Sequence, residues 1–199
     1  VIPRVKIYAD SPMALRALDF YRQAINEGSP EIRPEIVETW RGLDPFDPGS
    51  LVELMTPDES KTINNPEQPC IIISASGMAT GGRVVHHLRN MLPNPKHTVI
   101  LVGYQAVGTR GRSLADGAEF VKMHGELVEV KAQIEQIQSF SVHADANGLI
   151  DWLHSGNAEP KVVFVVHGES GAAEVFADRI KSQLGWHSHV PHIGEKISL

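Results

Sequence analysis

Two histidines stand where a metal or a phosphate could be handled. His143 lies in Ser139-Phe140-Ser141-Val142-His143-Ala144-Asp145, and His167 lies in Val165-Val166-His167-Gly168-Glu169. Each follows a run that reads as a strand. A right-handed βαβ crossover would put both on one edge of a parallel sheet, on strands ~4.8 Å apart. An imidazole there can ligate a metal or move a proton near neutral pH. The competing reading is that each histidine caps a helix or fills a loop; two at matched strand ends weaken it. His86 and His87 fall on a helix with one inward and one outward, and no role is assigned to them. His187, His189 and His192 are spaced for a metal on a strand or for a plain exposed edge.

Ser76-Gly77-Met78-Ala79-Thr80-Gly81-Gly82-Arg83 is a glycine-rich turn leading into a helix. Its backbone amides, helped by the helix start, can bind phosphate. It is neither a Walker loop, for no Gly-Lys-Ser/Thr follows, nor the dinucleotide fingerprint. The segment from Gly103 to Arg112 also carries glycines, with Tyr104, Arg110 and Arg112. Arginines there can contact phosphates and Tyr104 can stack on a base. Against this stand a plain strand-to-helix turn for the first segment and a solvated loop, with Tyr104 in the core, for the second.

The elements that must hold these loops form an alternating pattern. A strand over Val5–Ala9 leads into a helix from Ser11 to Asn26, capped by Asp10 or Ser11 and opened by Pro12. A short helix around Ile32–Arg41 and a short strand near Leu51–Leu54 follow, and Thr56-Pro57-Asp58-Glu59 starts another helix. Cys70–Ser74 and Thr98–Val102 read as buried parallel strands around a helix from Arg83 to Met91, a βαβ unit. Residues 119–137 read as extended, with alternation in Glu126–Val130. A strand ending near Val142, a helix from Asp145 to Leu153, a strand over Lys161–Val166 and a helix from Ala172 to Leu184 complete the chain. In such sheets ligands gather at the carboxyl ends of strands, where Asp10, Ser74–Gly77, Gly103–Gln105 and the two histidines all fall.

Composition narrows the partners. Apolar residues make up 42% and charged residues 21%, ordinary for a globular protein with a real core. No apolar run is long enough for a membrane span. A net charge of -6 argues against a generally basic nucleic-acid binder but allows a local basic track through Arg83, Arg89, Lys96, Arg110 and Arg112. The single cysteine, Cys70, excludes an internal disulfide and a cysteine zinc site and fits a reduced, cytoplasmic setting. The chain opens on Val1, without Met, which suggests an excised piece.

Taken in order, Asp10-Ser11-Pro12-Met13-Ala14, Ser76-Gly77-Met78 with Gly81-Gly82-Arg83, Gly103-Tyr104-Gln105 with Gly108-Thr109 and Gly111, Phe140–Ala144 and Val166–Glu169 resemble the β-CASP ribonucleases of the metallo-β-lactamase group. The resemblance implies an α/β fold: a β-CASP domain, residues 1–137, with a parallel sheet flanked by helices, followed by residues 138–199 as the C-terminal βαβα portion of a metallo-β-lactamase αββα fold. It implies that RNA enters a cleft between the two parts. By the same resemblance His143 is the catalytic histidine at the scissile phosphate and His167 is a zinc ligand. Ser141 and the Ser76-Gly77 loop match positions associated with RNA phosphates.

The family's main metal motif, His-x-His-x-Asp-His, is absent from this chain. One histidine cannot hold the two zinc ions that would activate water and clamp the phosphate. The expectation is therefore the RNA-binding half of a zinc-dependent ribonuclease, inactive by itself. Its implied partners are single-stranded RNA, the upstream metallo-β-lactamase segment of the parent chain, and a second copy in a homodimer, with no membrane. The alternative is a stand-alone RNA- or nucleotide-binding module without catalysis. An α/β-hydrolase, suggested by His167-Gly168, lacks a later Gly-x-Ser-x-Gly.

Overall fold

Val5, Ile7 and Ala9 alternating with Lys6 and Tyr8, followed by an aspartate and a Ser-Pro pair, set the first strand and helix. The computed structural model describes residues 4–137, 139–140, 143–156 and 158–198, with residue 170 described by its backbone alone. Strand β1 (Lys6–Asp10) runs into helix α1 (Pro12–Glu27), whose N-cap Ser11 accepts a hydrogen bond from the Ala14 amide at 3.3 Å. Pro12 occupies the first turn, where a missing N–H costs nothing. Helix α2 (Pro34–Trp40) and strand β2 (Leu51–Glu53) follow. Helix α3 (Pro57–Thr62) starts where the Thr-Pro-Asp-Glu run predicts, and it opens on a capping box between Thr56 and Glu59.

Strand β3 (Cys70–Ser74) pairs in parallel with β1, and β2 lies on the other side of β1, giving the order β2-β1-β3. The register sets Asp10 opposite Ser74, so both strands end on the same edge. Helix α4 (Arg83–Met91) and strand β4 (Thr98–Leu101) follow. Two details differ from the sequence expectation. β4 pairs with β7 (Gln133–Gln136) and not with β3, and Ile71 and Ile73 are exposed. The β-branched run is thus an edge strand, half-buried on one face and exposed on the other. Between β4 and β7 lie helix α5 (Arg110–Ala115) and the antiparallel pair β5 (Phe120–Met123) and β6 (Glu126–Glu129).

The main core gathers α4, β4, α5, β5 and β6 around Leu92 and Met123, both with no exposed surface, and Leu114 at 1%. Each such side chain contributes about 1.5–3 kcal/mol. The chain divides into two compact units, residues 1–139 and 140–199. The second holds helix α6 (Ala146–His154), strand β8 (Val163–Phe164), helix α7 (Ser170–Leu184) and strand β9 (Ser188–His189). β8 pairs in parallel with β9. The strand expected to end near Val142 lies outside the described residues, as does Ser141. Among the described residues no helix is long and apolar enough to cross a membrane.

Candidate nucleic-acid interface

The shared edge of β1 and β3 is organised by a buried carboxylate. Asp10 has no exposed surface. Its Oδ2 accepts from Ser60 Oγ on α3 at 2.6 Å and lies 2.6 Å from His87 Nε2 on α4. Its Oδ1 accepts from Arg83 Nη1 at 2.5 Å. Burial pushes the Asp10 carboxyl up, but the hydrogen bonds from Ser60, His87 and Arg83, with the guanidinium charge, outweigh it and hold it below the usual range. Arg83 also donates to the carbonyls of Leu54 and Met55, at 2.9 and 2.8 Å. His87 Nδ1 faces Asn64 Oδ1 at 2.8 Å.

Above this cluster sits the glycine-rich turn. Ser74 Oγ donates to the Asp10 carbonyl at 3.1 Å, fixing the turn where it leaves β3, while Arg83 fixes it where α4 begins. Gly82, at φ 75°, adopts a left-handed conformation with its Cα hydrogens close to the Ala75 carbonyl. The hydroxyls of Ser76 and Thr80 lie 2.9 Å apart. Among the described residues no acceptor meets the amides of Gly77, Thr80 and Gly81.

The second glycine-bearing segment is stitched to the first. Gln105, 5% exposed, donates from Nε2 to the carbonyls of Gly77 and Gly103, both at 3.0 Å. The Gly111 amide donates to the Met78 carbonyl at 2.9 Å. Arg110 donates from Nη1 to the carbonyls of Ala79 and Thr80 at 3.2 and 3.0 Å, and from Nε to that of Lys122 at 2.7 Å. Two loops from different strands become one surface, with Tyr104 exposed beside them at 59%. Arg112, by contrast, pairs with Asp116 at 2.9 Å.

In the second unit His143 and His167 are both exposed. Neither caps its helix: Asp145 caps α6, accepting from the Gly148 amide at 2.7 Å, and Glu169 holds the N-cap position of α7. His167 takes φ 63°, a conformation that costs a residue with a β-carbon of order 1 kcal/mol.

A family model described as Beta-Casp domain matches residues 1–114, more than half of the chain. The chain belongs to the Beta-Casp family. A second model, described as a Zn-dependent metallo-hydrolase RNA specificity domain, matches residues 127–191. Among curated relatives, the protein named Ribonuclease TTHA0252 of Thermus thermophilus is 36% identical over 168 residues, covering 84% of this chain and 37% of the relative. An RNase J-like protein of Methanocaldococcus jannaschii is 35% identical over 187 residues, covering 94% and 41%. Transcription termination factor FttA of the same organism is 29% identical over 192 residues, covering 92% and 30%. The chain thus spans between 30% and 41% of the length of these relatives.

For a Beta-Casp chain the arrangement redistributes the roles the sequence suggests. Ser76, Gly77, Gly81, Gly82, Arg83, Tyr104, Arg110 and Arg112 all fall on or beside the stitched surface, but Arg83 is turned to the buried Asp10 and Arg112 pairs with the exposed Asp116. Sequence reasoning missed Ser60, Asn64, His87 and the stitching role of Gln105. The available signal was the position of His87 one helical turn after Arg83, which puts both on one face of α4. The second family model carries zinc in its description. Among the described residues no group of three or more His, Cys, Asp or Glu side chains is placed to hold a metal.

The close approach of Gly111 makes a specific prediction. A Cβ there would lie 1.7 Å from Gln105 Oε1 and 3.0 Å from the Met78 carbonyl. Gly111→Ala is expected to displace Gln105 and cost about 1–3 kcal/mol, as overpacking does. Urea denaturation should show a lowered midpoint with an unchanged m-value.

Proposed function

We propose that this chain is the RNA-holding part of a zinc-dependent ribonuclease. Residues 1–137 serve as the β-CASP domain and residues 138–199 as the returning portion of the metallo-β-lactamase domain. The observation that carries this reading is the stitching of two glycine-bearing loops by Gln105, which places unpartnered amides and the Ser76 and Thr80 hydroxyls on one surface. Such donors suit phosphodiester oxygens, and relatives named ribonuclease support RNA as the ligand. In this reading His143 acts at the scissile phosphate and Ser141 contacts RNA. His167 supplies one zinc ligand, with the others coming from outside this chain. A reduced, cytoplasmic setting and a homodimer belong to the same proposal.

The chain is expected to bind single-stranded RNA with an affinity that falls steeply as salt rises. Ser76→Ala should weaken binding about tenfold, the loss of one hydrogen bond to a charged oxygen. Absence of binding at low salt would sink the proposal.

A further inference from the structure

The three arginines near the stitched loops are not equivalent. Arg83 faces the Asp10 carboxylate at 2.5 Å and Arg112 faces Asp116 at 2.9 Å, so each charge is balanced from within. Arg110 has no carboxylate partner among the described residues. Its guanidinium is held by three backbone carbonyls, those of Ala79, Thr80 and Lys122, and it is only partly exposed. Carbonyl dipoles fix the orientation of a cation without cancelling its charge. Its charge therefore stays open to an anion arriving from solvent. Nη2 has no partner among the described residues and remains available to an outside oxygen. The carbonyls that grip Arg110 belong to Ala79 and Thr80, within the turn that carries the Ser76 and Thr80 hydroxyls.

We infer that Arg110 is the charge-bearing phosphate contact of the stitched surface, whereas Arg83 is an internal strut and Arg112 is neutralised by its exposed neighbour Asp116. The inference rests on the RNA reading given above and sharpens it to one residue. Because the guanidinium is already oriented, little rotamer freedom is left to lose when a phosphate binds.

The test is the salt dependence of binding of a fluorescent oligouridylate to the chain and to three variants. Removing one phosphate-neutralising charge should lower the slope of log K against log salt by about 0.7, the single-strand value for one contact. Arg110→Gln is expected to show that drop, and Arg110→Lys, which keeps the charge, to restore the slope. Arg33→Gln removes an equal charge from an exposed position and should leave the slope unchanged. A folded fraction that stays constant across the salt range, as circular dichroism would verify, scales K without changing the slope, so partial loss of structure then cannot imitate the result. An unchanged slope in Arg110→Gln, or a slope not restored by lysine, overturns the inference while leaving RNA binding intact. Failure of the unaltered chain to bind overturns both.

Discussion

Asp10→Ala is expected to destabilise the first unit by about 3–5 kcal/mol, the cost of breaking a buried charge pair by removing one partner. Three donors converge on that carboxylate, from Ser60, Arg83 and His87, and none of them can turn to water without moving α3 or α4. Arg83 would keep the Leu54 and Met55 carbonyls but lose its counter-charge at a side chain only 18% exposed. Asp10→Asn preserves the shape and should cost less, since one oxygen still accepts. Urea denaturation of both variants would rank them; equal stability to the parent in Asp10→Ala would refute the assignment of Asp10 as the hub. The same carboxylate sets an acid dependence. Its folded pKa lies below the unfolded value, so its contribution is complete above the ordinary aspartate range near ~4 and is lost as pH falls through the folded value. The parent chain should therefore lose stability more steeply than Asp10→Asn on acidification below about pH 4.

The second large effect concerns catalysis. In a protein that carries this chain together with the remaining zinc ligands, His143→Ala is expected to lower RNA cleavage by about 10²–10⁴-fold, the range for a positioned acid or base, with zinc content unchanged. His167→Ala should lower zinc content and cleavage together. The loss should be at least the ten- to hundredfold that even an outer partner of a metal ligand costs. The structural support is that neither ring is used as a helix cap, and that His167 sits in a left-handed conformation that glycine would hold at lower cost. Metal analysis alongside single-turnover cleavage separates the two roles. Normal cleavage in both variants would defeat the ribonuclease reading.

Local chemistry was readable from the residues and long-range pairing was not. Cys70–Ser74 and Arg83–Met91 have the bounds their composition predicts, because β-branched runs and a proline-terminated amphipathic stretch are local signals. The Ser11 cap and the Thr56–Glu59 box follow from side chains acting on their own backbone. Strand partners depend on contacts that no local pattern encodes. The expected neighbour of β3 pairs elsewhere, and β8 finds β9 at the C-terminal end. Gly108 and Gly111, flanking Thr109 and Arg110, predict a loop where helix α5 forms, because Gly111 is there for the close approach of Gln105. Arg83 beside glycines has the local pattern of a ligand-facing residue; its partner lies 73 residues away.

The links to Asp10 bridge 50, 73 and 77 residues of chain. Closing loops of that size costs chain entropy, so the carboxylate is expected to find its three donors after nearer contacts have formed. Residues that join late stabilise the native state more than the folding transition state. Asp10 should therefore act chiefly as a brake on unfolding: its loss is expected to shorten the lifetime of the folded chain far more than it delays folding.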